Sequence, residues 1–303
     1  MAAMKIGFSS LVCPTWDLPT IVAKAAEWGY QGIELRGLQG ELHLPAWPQL
    51  SADPEAVRRR LNDSGVELVC LGSSVTLTSK SRRELSRQKE ALNEYIELAH
   101  RLGCAHVRIH AGEVPRRDTQ RAVLSRVAEQ LIGLAPAAAR AGVTILVENG
   151  GDFPGSADMW FLLDAVSHPA VRCCWNQCSA MSIGERATTS LPRLGGKISL
   201  VHLCDAEFDE QGILQGYKPL GEGHAEVARQ IDLLKGLVYT NCLMFEWPKL
   251  WLESLPAPET ILPGAATFMK DHIAAKQAIL SAYKGDKNAP KFAQPRSLAD
   301  NAA

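Results

Sequence analysis

Short runs rich in β-branched and apolar residues recur along the chain, and each is followed by a stretch in which apolar positions return at helical spacing. The strand-like runs are Lys5 to Ser10, Gly32 to Arg36, Glu67 to Gly72, His106 to Ala111, Thr144 to Glu148, Val171 to Asn176, Ile198 to Cys204 and Asn241 to Trp247. Between and after them the spacing predicts helices over Leu18 to Trp28, Pro54 to Asp63, Arg82 to Leu102, Thr119 to Arg140, Met159 to Val166, Ala225 to Leu237 and Ala265 to Tyr283. A more weakly patterned one falls around Ser182 to Arg193. Gly29, Gly65, Gly103 and Gly142 each close a helix shortly before a strand, where a left-handed cap suits glycine. Strict alternation of this kind implies parallel strands joined by crossover helices, and eight such units close naturally into a barrel. We therefore expect an α/β protein, a single-domain (β/α)8 TIM barrel over residues 4–283, followed by a polar, proline-bearing tail over residues 284–303. A doubly wound sheet is the competing topology.

Composition changes this picture little. A chain of 303 residues has room for two domains, but the same unit repeats from end to end, which argues for one. The 32 basic and 33 acidic residues nearly cancel, so the broad positive footprint of a nucleic-acid binder is absent. Of the eight cysteines, Cys70, Cys173, Cys174, Cys204 and Cys242 fall in strand-like runs and read as small core hydrophobes, which fits a reducing compartment. Met1 to Lys5 runs directly into a strand, and no apolar run reaches about 18 residues. A cytoplasmic protein with no membrane segment is the expectation.

In a barrel the chemistry is carried at the C-terminal ends of the strands, so polar groups there are informative. The fifth run ends in Glu148, the sixth in Asn176, the seventh carries His202, and the eighth carries Glu246. Four neighbouring strands thus each bring a metal-capable or amide group to an equivalent depth. Two carboxylates, an imidazole and an amide oxygen are hard to intermediate ligands, suited to Mn, Mg, Co or Zn with positions left open for substrate oxygens. Glu34, Arg108, His110 and Lys249 are the candidate substrate contacts. Arg108 also reads as an interior charge satisfied by Glu34, and Arg36 and Lys249 as solvated rim residues. His224 is expected to sit at a helix start.

At these positions the chain resembles the xylose-isomerase-like barrel superfamily of sugar phosphate isomerases and epimerases. The resemblance extends over roughly Met4 to Leu280 and rests on Gly32 to Arg36 (GIELR), Val147 to Asn149 (VEN), Val201 to Asp205 (VHLCD), Pro219 to Gly223 (PLGEG) and Phe245 to Trp247 (FEW). It implies a divalent metal held by Glu148, Asn176, His202 and Glu246, with Asp205, three residues after His202, positioning water or a ligand from behind the site. Asn176 departs from the aspartate usual at that place, and Ser179 stands where many members have histidine. Losing one negative charge should weaken metal binding.

The resemblance further implies a metal-dependent sugar isomerase or epimerase, in which Glu148 and Glu246 work on opposite faces of a carbon acid next to a carbonyl. Two other readings share the metal core: a dehydratase or lyase acting on keto sugars, inososes or 3-keto glycosides, and a non-catalytic sugar-binding barrel. The endonuclease type of relative needs more histidines and carboxylates than the sixth strand offers. The expected partner is a small sugar or sugar-derived molecule, with a homo-oligomer compatible with the long last helix.

Overall fold

The computed structural model describes residues 4–285, with side chains as far as residue 275. Among the described residues ten strands follow one another: β1 (Lys5–Ser9), β2 (Gly32–Leu35), β3 (Glu67–Gly72), β4 (His106–His110), β5 (Thr144–Glu148), β6 (Val171–Asn176), β7 (Ile198–Leu203), β8 (Asp205–Phe208), β9 (Leu214–Lys218) and β10 (Cys242–Phe245). Eight of them form a closed parallel barrel in the order β1-β10-β7-β6-β5-β4-β3-β2, with β1 pairing both β10 and β2. This is the single-domain (β/α)8 TIM barrel that the alternation predicts.

Helices between the barrel strands cover its outside. Their starts follow from capping: Asp17, Asp53, Ser81 and Thr119 each accept a hydrogen bond from the backbone N–H three residues on, meeting a donor that the first helical turn leaves free. Gly29, Gly65 and Gly103 close their helices at φ near +70°, a conformation that costs other residues strain. Gly142 also has a positive φ, but the cap of its helix is Ala141, one residue earlier. The weakly patterned sixth helix resolves into two pieces, Gln177–Met181 and Ala187–Leu194. The last helix spans Pro258–Gly285, starting earlier than its periodicity suggests. Of the predicted tail over residues 284–303, Lys284 and Gly285 belong to this helix, and the rest lies outside the described residues. Among the described residues no helix is long and apolar enough to cross a membrane.

Among the described residues, besides the short helix Pro48–Ser51 and three 3-10 turns, a hairpin joins the elements that the sequence predicts. Directly after β7 the chain leaves the barrel as an antiparallel hairpin, β8 with β9, paired from Asp205–Lys218 to Phe208–Leu214. Most apolar side chains pack between strands and helices, while Val69, Cys70, Leu146, Cys174, Leu200, Cys242 and Met244 form a separate cluster. These seven come from β3, β5, β6, β7 and β10 and fill the barrel interior, as layered side chains do in this fold. The cysteines are buried with free thiols, in keeping with their reading as core hydrophobes.

Candidate functional site

Two residues further along the same strands the interior turns polar. Leu146 is followed by Glu148, Cys174 by Asn176, Leu200 by His202 and Met244 by Glu246, so strand alternation carries each polar group to the same interior face as the apolar one before it. From the opposite side Glu34 enters on β2 and Arg108 on β4. Gly72 on β3 makes room for them: a Cβ there would lie 2.6 Å from Glu34 Oε1, 2.7 Å from Arg108 Nη2 and 2.9 Å from Arg36 Cδ.

Arg108 is fully buried and lies between two carboxylates. Its Nη1 donates to Glu148 Oε2 at 2.7 Å, and its Nε and Nη2 both donate to Glu34 Oε1 at 3.2 Å. The interior charge satisfied by Glu34 is thus present. His202, also fully buried, donates from Nε2 to Glu34 Oε2 at 2.6 Å, and its Nδ1 lies 2.9 Å from Glu148 Oε1 and 3.5 Å from Glu246 Oε1. Burial alone would raise the carboxyls of Glu34 and Glu148, but His202 and Arg108 reverse this and hold Glu34 below, and Glu148 well below, the ordinary range. For His202 burial works against the charged ring, and Cys174, Glu34, Glu148 and Glu246 outweigh it, lifting the ring well above its usual value. The Cys174 thiol is itself kept protonated, pushed up to about 12 chiefly by burial, so the carboxylates are the effective partners. Glu246 lacks an arginine contact, and burial pushes it up to about 7, with Glu148 adding to the effect and His202 opposing it.

Asn176 ends β6 and caps the helix Gln177–Met181. Its Oδ1 accepts from the backbone N–H groups of Cys178 and Ser179 at 3.1 and 3.4 Å. A backbone N–H can only donate, so the cap fixes which end of the amide is which. The Nδ2 therefore faces the carboxylates, donating to Glu246 Oε2 at 2.7 Å and to Glu148 Oε1 at 3.3 Å. Expected as an oxygen ligand, Asn176 here presents amide hydrogens to the ligand carboxylates while its oxygen is spent on the cap. Asn149 holds this strand end in place, accepting from Asn176 N at 2.7 Å and donating to Asn176 O at 2.8 Å.

Residues 22–272 match the xylose isomerase-like TIM barrel family. The chain belongs to this family. Among curated proteins none matches it. Solved barrels of the family are similar across nearly the whole fold. A structure of the IolI protein with a bound zinc atom is 17% identical at a TM-score of 0.78, covering 90% of this chain and 99% of its own. An L-ribulose 3-epimerase is 19% identical at 0.74, covering 95% and 100%, and the probable 3-DHS dehydratase AsbF from Bacillus anthracis is 17% identical at 0.73, covering 88% and 99%. At such identities the likeness is one of fold.

Whether this member of the family suits a metal ion is a question of donors. Glu148, Cys174 and His202 each bring one donor atom within 4.8 Å of the others, a group that can hold an ion. Glu246 Oε1 adds a carboxylate on the His202 side. The far atom of two of these groups is committed elsewhere, His202 Nε2 to Glu34 and Glu148 Oε2 to Arg108, which orients the near atoms as supporting hydrogen bonds do around metal ligands. The donor set therefore fits a divalent cation. Cys174 was not expected as a donor; its signal is the alternation that places it on the face of Asn176.

The other expected contacts separate. His110 keeps 40% of its side-chain surface exposed, with Nε2 accepting from Arg108 Nη1 at 3.0 Å; burial and the Arg108 charge lower its ring to about 4, leaving a neutral imidazole. Lys249, expected at the substrate or in solvent, donates its ammonium to the backbone carbonyls of Glu253 and Leu255 at 2.8 and 2.6 Å. Arg36 is not a solvated rim residue: it is only 5% exposed. Asp205 does not face a ligand. Its two oxygens accept from the N–H groups of Ala206, Gly221, Gly223 and Ala225 and tie the 219–225 loop to the hairpin. His224 joins the same device, accepting from Phe208 N at 3.1 Å, ahead of a helix that starts only at Val227. The hairpin also carries Tyr217, missed in the sequence, whose phenol is kept protonated chiefly by burial, with the carboxylate of Glu246 adding to the effect.

Proposed function

We propose that the chain is a divalent-metal-dependent sugar isomerase or epimerase that removes a proton from a carbon next to a carbonyl. The observation that carries this reading is the convergence of Glu148, His202 and Glu246 at the mouth, with Glu34 and Arg108 fixing the far atoms of two of them. Glu148, His202 and Glu246 would hold the ion, with Asn176 the fourth residue around it. Bound there, a divalent ion polarises a carbonyl and stabilises the negative charge that proton removal leaves on substrate oxygens. Glu246, without an arginine on it, takes the proton. Glu148, kept ionised by Arg108, faces the carbon from the other side. His110, with 40% of its side-chain surface exposed, meets a substrate hydroxyl, while Glu34 and Arg108 act from behind as positioning residues. The bound molecule is a small sugar or sugar derivative.

A second reading, a dehydratase or lyase on keto sugars, inososes or 3-keto glycosides, is favoured by Tyr217. Its ring meets Trp247, the residue after Glu246, at 6.3 Å between centroids, and a protonated phenol at this place can hand its proton to a departing oxygen. Metal analysis of the purified and reconstituted protein tests the shared premise, and less than stoichiometric divalent ion after reconstitution would sink it. Incubation with ketohexoses, inososes and 3-keto glycosides in deuterated water then separates the branches. Deuterium in an epimer or isomer supports the first reading, an unsaturated or cleaved product the second, and a bound but unlabelled sugar leaves a binding barrel.

A further inference from the structure

Arg36 follows β2 at the mouth of the barrel, and the surrounding residues hold its backbone in place. The Ser10 hydroxyl accepts from the backbone N–H groups of Arg36 and Gly37 at 2.9 and 3.2 Å and donates to Gly37 O at 2.8 Å. The side chain passes Gly72, beside Glu34 and Arg108, and donates from Nη2 to Ser74 Oγ at 2.7 Å. The ring of Trp251 lies over the guanidinium, 5.6 Å from centroid to Cζ. Nη1 has no hydrogen-bond partner, although it is buried. Among the described residues Arg36 also makes no ion pair, whereas Arg108 next to it has two carboxylates. A buried guanidinium with one neutral hydroxyl and one free nitrogen is costly to keep, and the cost calls for a compensating anion.

A second orphan lies on the same side. Ser9 ends β1 opposite Glu34 in the parallel register, so its side chain shares the interior face of Glu34, and its Oγ is buried without a partner. The carboxylates of the mouth are already engaged by Arg108, His202 and Asn176, so the charge left over on the β1–β3 side is positive.

We propose that Arg36 Nη1 anchors an oxyanion of the substrate, a carboxylate or a phosphate, making the natural ligand an acidic derivative and not a neutral sugar. This rests on the reading of the mouth as a sugar site. A guanidinium offers two parallel donors to either oxyanion, and a contact of this kind is stronger than one between neutral groups. Trp251, 53% exposed, is the cover: the ligand reaches Nη1 by displacing an indole that already has one side in water. The loop beneath it stays put, because Leu250 N donates to Leu11 O at 3.0 Å.

Three polyols without a carbonyl test this in the absence of turnover: D-glucitol, D-gluconate and D-glucitol 6-phosphate, titrated calorimetrically into the protein as purified. We expect at least one anionic probe to bind tenfold or more tightly than D-glucitol, and which one does so identifies carboxylate or phosphate. That preference should vanish in Arg36→Gln and persist in part in Arg36→Lys, with D-glucitol affinity unchanged in both. Equal affinities of the wild-type protein for all three probes overturn the proposal without any variant, so a misfolded Arg36→Gln cannot protect it. An anion preference that survives Arg36→Gln overturns it as well, since it then belongs to the bound metal. Deuterium exchange reports separately on the catalytic reading. Anion preference without exchange into any keto compound keeps the Arg36 site and removes the enzyme, while exchange into neutral and acidic ketoses at equal rates does the reverse.

Discussion

The barrel interior contains two regions built on the same strands. In one, Leu146, Cys174, Leu200 and Met244 belong to a small apolar cluster; two residues on, about 6–7 Å along each strand, stand Glu148, Asn176, His202 and Glu246. Both regions are buried apart from Glu246, which keeps 15% of its side-chain surface exposed, yet they are held by different forces. The apolar cluster is a matter of volume, and any set of side chains that fills it without strain serves nearly as well. The polar region is a matter of pairing: Arg108 and His202 are each tied to two of the carboxylates, and removing one member leaves its partners charged in a place that water does not reach. The same strand therefore tolerates change at one step and not at the next.

The sharpest way to break this contrast is Arg108→Met, which keeps bulk but strips Glu34 and Glu148 of their cation. Unfolding in urea should show a loss of about 3–5 kcal/mol; a loss under about 1 kcal/mol would mean that the carboxylates are not held by charge. Next is Asp205→Ala, which takes both carboxylate oxygens from four backbone N–H groups of the 219–225 loop and the adjoining strand. Because that loop is only partly buried, about 1–3 kcal/mol is expected, together with faster amide exchange confined to residues 219–225. Unchanged exchange there would show that Asp205 has some other task.

Asn176→Asp sharpens the comparison from the polar side. It replaces an amide hydrogen aimed at Glu148 and Glu246 with a third carboxylate, so the metal-free protein should melt lower while its affinity for a divalent ion rises about tenfold, near 1.4 kcal/mol. Isothermal titration with Mn, Mg, Co and Zn salts measures the affinity, and a metal-free melting point that rises would contradict the amide geometry. The smallest effect belongs to the apolar cluster. Met244→Leu should cost less than about 1.5 kcal/mol and leave metal binding as it was. A loss as large as that of Arg108→Met would erase the distinction between the regions.

Much of this was legible beforehand, and unevenly so. The strands are found within one or two residues at their ends, since a run of apolar residues bounded by glycine and polar turns is a local signal. The hairpin of β8 and β9 was missed because it is short, only partly buried, and anchored by Asp205 and His224 through contacts with a loop further along the chain. Arg36 and Lys249 looked alike as charged residues just past a strand end. One proved to be enclosed by Ser74 and Trp251, and the other bound to carbonyls of its own loop, distinctions that depend on segments far apart in the chain or on how one loop turns back on itself.

What the sequence alone determined is the barrel and the set of interior strand-end groups, because hydrophobic period and side-chain alternation are properties of a few consecutive residues. Tertiary structure alone decided which atom of each group faces which. Asn176 presents Nδ2 because the next helix claims its Oδ1, and Glu34, 168 residues from His202, fixes the imidazole only once the barrel has closed. Closure sets the stagger between strands, and hydrogen bonds of this range follow from that stagger and not from any local pattern.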